Sequence, residues 1–222
     1  MKIAIIPDVH GRTFWQNVNE VIDEVDKVIF LGDYLDPYPH EGINFETSKT
    51  ILMQIINFKA EYPDKVINLI GNHDYYYLYT NRGFCSRHEA REEKEVKPLL
   101  EMLDLQVAYK VDKYIFSHAG ICPKWLDMCK LTLEDVLTKS IEDLKYSLEY
   151  VGYLRGGYDA AGSCIWCDAR EFVHYYIPYK NVFQIFGHTM VEHELVYKNL
   201  VCLDCQTVFV LDTETADLIK IN

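Results

Sequence analysis

Residues 1–12 read MKIAIIPDVHGR, so four apolar residues, Ile3 to Ile6, run straight into Asp8, His10 and Arg12. So short a run, cut off by charge, predicts a buried first strand rather than a signal peptide or a bilayer span, which needs roughly 20 apolar residues. The same design recurs at residues 27–38, KVIFLGDYLDPY, and at 65–77, KVINLIGNHDYYY. Between these β-rich runs, Trp15 to Val25 and Ser48 to Phe58 carry helical periodicity. Strand, helix, strand, helix, strand predicts an α/β sheet, and ligands bind such sheets at the carboxyl ends of the strands. Three polar clusters at three strand ends therefore converge on one site.

Further along, Glu89 to Leu103 is charged and predicted helical, and Val107 to Lys110 with Lys113 to Ser117 predict a hairpin around Val111-Asp112. That hairpin ends in another polar cluster, Ser117-His118-Ala119-Gly120. Leu131 to Tyr150 predicts helices with acidic first turns, and Gly152 to Ser163, the most glycine-rich stretch, predicts a loop. Val182 to Phe186 leads into Gly187-His188-Thr189-Met190. Leu200 to Leu203, Val208 to Leu211 and Leu218 to Ile221 predict a closing antiparallel meander. No repeat, low-complexity tract or linker interrupts the 222 residues, whose length predicts a single domain.

The net charge of −12 disfavours a nucleic-acid substrate, because duplex binding relies on clustered Lys and Arg that displace counterions. Seven cysteines form an odd set without a small-scaffold pattern. Free thiols in a reducing, cytoplasmic setting are expected, with no membrane association.

Asp8-x-His10, Gly32-Asp33, Gly71-Asn72-His73, His118 and Gly187-His188 each follow a predicted strand. Carboxylate oxygen, amide oxygen and imidazole nitrogen together suit borderline ions such as Mn²⁺, Fe or Zn²⁺, whereas Ca²⁺ and Mg²⁺ sites seldom use three histidines.

With those residues in view, the chain resembles the calcineurin-like metallophosphoesterases, whose motifs run D-x-H-G, G-D-x-x-D, G-N-H-D/E, H-A/G-G and G-H. All five occur in that order between Pro7 and Thr189. Met190 stands where the wider superfamily has the second His of G-H-x-H, so the resemblance leans to the phosphoprotein phosphatase branch. His118-Ala-Gly-Ile-Cys-Pro-Lys-Trp125 is similar to symmetrical diadenosine tetraphosphatases, and Ile165-Trp-Cys-Asp168 to Ser/Thr protein phosphatases.

The resemblance implies a metallophosphatase-type fold, a β-sandwich flanked by helices in four layers (α-β-β-α). It implies a hydrolase acting on a phosphorylated small molecule, nucleotide or phosphoprotein. It also implies two divalent ions, Mn²⁺ first with Fe or Zn²⁺ as alternatives: Asp8 and His10 hold one, Asp33 bridges, and Asn72, His118 and His188 hold the other. Two cations about 3.5–4 Å apart need a shared anion, and a water between them ionises near neutral pH to become the nucleophile. His73 is then the general acid that protonates the leaving oxygen, with Asp36 orienting its imidazole. A degenerate, non-catalytic member of the family is the alternative.

One departure matters. Where the family continues G-D-x-V-D-R-G, this chain has Pro37, which cannot clamp a phosphate. Arg170 is the expected replacement, with Arg12 and Arg155 as alternatives, because a bidentate guanidinium suits a phosphoryl group. The pairs Cys164/Cys167 and Cys202/Cys205 read as core thiols rather than zinc ligands. Tyr75, Tyr76, Tyr77 and Tyr79 read as packing before substrate contact. His40, His88, His174 and His193 match no ligand position.

Overall fold

The computed structural model describes residues 1–79 and 85–221. The chain falls into two compact units, Met1–Leu105 with Gln206–Asn222, and Gln106–Cys205.

The first unit holds a five-stranded sheet in the order β10-β9-β1-β2-β3. Its strands are β1 (Lys2–Ile6), β2 (Lys27–Phe30), β3 (Val66–Asn68), β9 (Val208–Asp212) and β10 (Leu218–Ile221). β1, β2 and β3 are parallel, with Ile6 level with Phe30 and Phe30 level with Asn68. β9 runs antiparallel to both β1 and β10. Ile3, Ala4, Ile5 and Ile6 are all fully buried, as a central parallel strand requires when both faces are covered. Because three parallel strands end on the same edge, the loops after Ile6, Phe30 and Asn68 open side by side.

Helix α1 (Phe45–Glu61) starts where the Asn44 side chain accepts a hydrogen bond from the Thr47 amide at 2.9 Å. It buries Ile51, Leu52, Ile55, Ile56 and Phe58, one apolar stripe at helical spacing. Phe58, Trp15 and Phe30 pack ring against ring at centroid distances of 5.6–6.4 Å, and truncating one such core aromatic to Ala costs about 3–5 kcal/mol. Trp15 to Val25 does not form the expected α-helix; it winds instead as a 3-10 helix, Phe14–Glu20. Thr13 supplies no side-chain cap there, and Val18, Val21 and Ile22 are poor helix formers. Beyond β3, the polar cluster forms the short helix α2 (Asn72–Leu78), and α3 (Glu93–Glu101) falls inside its predicted span.

The second unit is built on a sheet in the order β4-β5-β6-β8-β7. β4 (Ala108–Val111) and β5 (Tyr114–Ser117) form the expected hairpin, turning at Asp112 with φ 51°. β6 (Phe183–Phe186) and β8 (Leu200–Cys202) continue parallel to β5, and β7 (Leu195–Tyr197) closes the edge antiparallel. The expected terminal meander is therefore not formed. The first of its three runs joins this sheet, whereas the other two, β9 and β10, join the sheet of the first unit.

Helices α4 (Pro123–Cys129), α5 (Leu133–Thr138), α6 (Ile141–Leu148) and α7 (Ala169–His174) complete the unit. α5 and α6 start at capping boxes, Thr132 with Asp135 and Ser140 with Asp143, which explains the acidic first turns. Both units are thus α/β, with two mixed five-stranded sheets flanked by helices. Among the described residues no helix is long and apolar enough to cross a membrane.

Candidate active site

In the first unit the three parallel strand ends bring Asp8, His10, Asp33, Asp36, Asn72 and His73 together, and all six are buried. The loops are tied by their backbones, with the His10 amide donating to the Asp33 carbonyl at 2.8 Å and the Gly11 amide to the Tyr34 carbonyl at 2.9 Å. His10, Asp33 and Asp36 all hold left-handed backbones, with φ of 46°, 53° and 59°. Such conformations cost of order 1–3 kcal/mol for a side-chain-bearing residue and cluster at functional sites.

The chemistry of the donors can be read from their hydrogen bonds. His10 Nδ1 lies 2.6 Å from the Leu35 carbonyl. A carbonyl can only accept, so Nδ1 carries the proton and Nε2 presents a lone pair. That Nε2 stands 3.6 Å from Asp33 Oδ2. Asp33 Oδ1 is engaged separately, accepting from the His73 amide at 2.9 Å. Burial and the neighbouring charge of Asp8 push the Asp33 carboxyl well above its usual range, and burial holds His10 well below the usual imidazole value. Crowded buried carboxylates beside a neutral imidazole lone pair make a site whose charge balance calls for a cation. Ligand atoms of His10 and Asp33 fall within 4.8 Å of one another, with the His73 imidazole beside them at the same range. The donor set therefore fits a metal ion.

Asn72 follows Gly71, the residue that precedes α2. Its Nδ2 donates to Cys85 Sγ at 3.2 Å, which turns Oδ1, the only amide atom able to ligate a cation, the other way. At Gly71 a Cβ would land on the Asp33 carboxylate, so the glycine is what lets the two loops meet.

His73 is oriented by its partners. Its Nδ1 donates to Asp36 Oδ2 at 2.7 Å, while its Nε2 faces Arg87 Nη2 at 3.3 Å. Arginine has only donors, so Nε2 is the accepting nitrogen in this arrangement. Asp36 Oδ1 accepts from the Tyr77 hydroxyl at 2.6 Å. Burial pushes the Asp36 carboxyl up to about 6, although the Tyr77 hydrogen bond pulls the other way.

Two residues of this site, Asp74 and Arg87, carry no expected role from the sequence, and Tyr77 is expected only to pack. Asp74 is fully buried and accepts from three backbone amides, those of Asp33 at 2.7 Å, Tyr34 at 3.0 Å and Gly71 at 2.9 Å. It pins the loop after β2 to the start of α2. Burial raises its carboxyl to about 7 against those donors. Tyr77 belongs to a run expected to pack, and it does, but its hydroxyl serves Asp36. Arg87 lies outside every recognised motif; its only sequence signal is a cation near the His73 cluster.

In the second unit the parallel ends of β5 and β6 place His118 Nε2 at 3.1 Å from His188 Nδ1, and both residues are buried. Nitrogens that close need either one proton between them or a cation drawing both lone pairs. His188 also has a left-handed backbone, φ 64°, and the His118 carbonyl accepts from the Gly187 amide at 2.7 Å. Arg155 Nη2 donates to the His188 carbonyl at 3.0 Å and to Thr189 Oγ1 at 2.9 Å, while its Nε lies 3.2 Å from Asp168. Arg170 is 70% exposed at its side chain and is bound at both ends to Asp168, at 2.8 and 3.1 Å. Arg12, in the first unit, is neutralised by Glu41 at 2.8 Å. Cys164 and Cys167 are buried free thiols.

The sequence profile of the calcineurin-like phosphoesterase family matches residues 1–192. A comparison with curated proteins gave no match. Among solved structures, a protein serine/threonine phosphatase of Saccharomyces cerevisiae is similar at TM-score 0.59 and 13% identity, over 100% of this chain and 80% of that one. A cold-active protein-tyrosine phosphatase of a psychrophilic Shewanella is similar at TM-score 0.55 and 16% identity, again over 100% and 80%. At these identities the likeness is one of fold.

Proposed function

The chain belongs to the calcineurin-like phosphoesterase family, metal-dependent hydrolases of phosphate esters, and from that premise we propose that it works through two divalent ions, Mn²⁺ first. Asp8, His10 and Asp33 are assigned to one ion, with Asp33 shared. Asn72, His118 and His188 are assigned to the second on the strength of their motifs. The observation that carries the reading is the His10 tautomer: its proton is committed to the Leu35 carbonyl, which leaves Nε2 with a free lone pair beside Asp33 for a cation.

When bound, the ions ionise water near neutral pH and offset charge on the phosphoryl oxygens. The chain does the rest. Asp36 fixes the His73 imidazole, whose Nε2 takes up a proton from solvent and delivers it to the leaving oxygen. Asp74 holds the two loops in register. Substrates are phosphate monoesters or anhydrides: Ile165-Trp-Cys-Asp168 favours phosphoserine or phosphothreonine, and His118-Ala-Gly-Ile121 with Pro123 and Trp125 favours dinucleoside polyphosphates. In the same proposal the chain acts as a single metallophosphoesterase domain in the cytoplasm, in keeping with free thiols at Cys85, Cys122, Cys129, Cys164 and Cys167.

The test is hydrolysis of para-nitrophenyl phosphate by protein stripped with chelator and given Mn²⁺, Mg²⁺, Zn²⁺ or nothing, with bound metal counted by elemental analysis. Turnover restored by Mn²⁺ with about two ions per chain is expected. One ion at full turnover would refute the binuclear reading. Phosphoserine peptides and diadenosine tetraphosphate in the same assay separate the substrate classes.

A further inference from the structure

Four arginines stand near candidate site residues, and their partners set them apart. Arg12 spends its charge on Glu41, and Arg155 and Arg170 share Asp168. Arg87 donates its described hydrogen bonds only to neutral groups, with the Asp36 carboxylate near enough to feel its charge but not paired with it. Its Nε donates to the Asp36 carbonyl at 2.8 Å, Nη1 to Ser86 Oγ at 3.3 Å and Nη2 to the His73 imidazole at 3.3 Å, and its guanidinium lies 3.9 Å from the Tyr38 ring centroid. Neutral partners fix a guanidinium's position without cancelling its charge, and an aromatic face adds orientation. Arg87 itself has φ 68°, a strained backbone for a residue with a side chain. It also lines a cavity of about 350 Å³ together with Asp36, Pro37, Ile43, Phe45 and Glu89.

We propose that Arg87 is the cation that grips the substrate's phosphoryl oxygens, with Tyr38 as the platform that aims it. The inference rests on the phosphoesterase reading above and adds to it the residue that binds the substrate's charge. A phosphate dianion is a stronger acceptor than an imidazole lone pair, so Nη2 turns from His73 to a phosphoryl oxygen when substrate enters.

The experiment measures binding of inorganic phosphate to Mn²⁺-loaded protein by calorimetry, with competitive inhibition of para-nitrophenyl phosphate turnover alongside. The Arg87→Ala variant is expected to bind phosphate about 10- to 100-fold more weakly, the scale of a lost charge-assisted contact, with its metal content unchanged. Arg87→Lys keeps the charge without the fork and is expected to fall between, and added guanidinium is expected to restore part of the loss in Arg87→Ala. Arg87→Ala and Arg87→Lys that bind phosphate within twofold of wild type would overturn the proposal, most directly if Arg170→Ala binds it poorly. Wild-type protein that grips phosphate through Arg87 but turns over no ester would sink the hydrolase reading and keep this one. Wild-type protein that binds no phosphate would overturn this proposal, and the hydrolase reading with it only if no ester is turned over.

Discussion

His73 and Asp36 are joined by a 2.7 Å hydrogen bond from Nδ1 to Oδ2, and the second oxygen of the same carboxylate is held by Tyr77. The pair is therefore braced from both sides before any substrate arrives, which fixes where Nε2 points.

The His73→Asn variant is expected to lose about 100-fold or more in kcat, since general acids contribute on that scale. Both ions should remain bound, because in this reading the imidazole is not a ligand. Elemental analysis showing metal lost along with activity would move His73 into the ligand set.

Asp33→Asn should remove metal and turnover together. Its carboxylate is the shared anion of the proposed centre, and an amide there leaves the cations without it. A variant that keeps two ions and its rate would eliminate the bridging role.

Removing the Tyr77 hydroxyl tests Asp36 through pH. The hydroxyl donates to Asp36 and so favours its charged form, while burial has already raised that carboxyl to about 6. Protonated Asp36 ceases to be a full acceptor for His73 Nδ1–H, so kcat should decline as pH falls through about 6. Tyr77→Phe removes a contact that lowers the Asp36 pKa, and the acid limb of the kcat profile should move to higher pH. A limb that stays put or moves down would show that Asp36 does not govern it.

Gly71→Ala drives a methyl group into the Asp33 carboxylate. Overpacking of this kind costs about 1–3 kcal/mol, and here the displaced group is a proposed ligand. Metal affinity should fall more steeply than thermal stability, a comparison made by metal titration and thermal unfolding on one preparation. Equal affinity for metal in the variant and wild type would argue that the loops tolerate the shift.

Much of this was legible in the sequence because an apolar run that stops at a polar cluster marks a strand end. The ends of β1, β2, β5 and β6 were found that way, along with the side chains they carry. Other features were not legible because they depend on partners far away along the chain. Asp74 appears in its motif as one letter, yet its three amide donors come from Asp33, Tyr34 and Gly71. Leu200 to Cys202 and Val208 to Asp212 look like successive strands of one meander, and alternation along a strand gives no hint of which sheet receives it. The role proposed for Arg87 was not legible because it comes from what surrounds the residue, a ring, a carbonyl, a hydroxyl and an imidazole, rather than from any spacing.

The pairing of β1 with β9 sets a timetable for synthesis. Ile3 lies level with Leu211, so the neighbour on that side of the first strand is made about 200 residues after it. At roughly 5–20 residues per second a ribosome needs on the order of 10–40 s to supply it. Throughout that interval the β1 edge, built from Ile3, Ala4, Ile5 and Ile6, has its backbone donors and acceptors exposed on the nascent chain. Strands β9 and β10 thus decide when the sheet of the first unit can close.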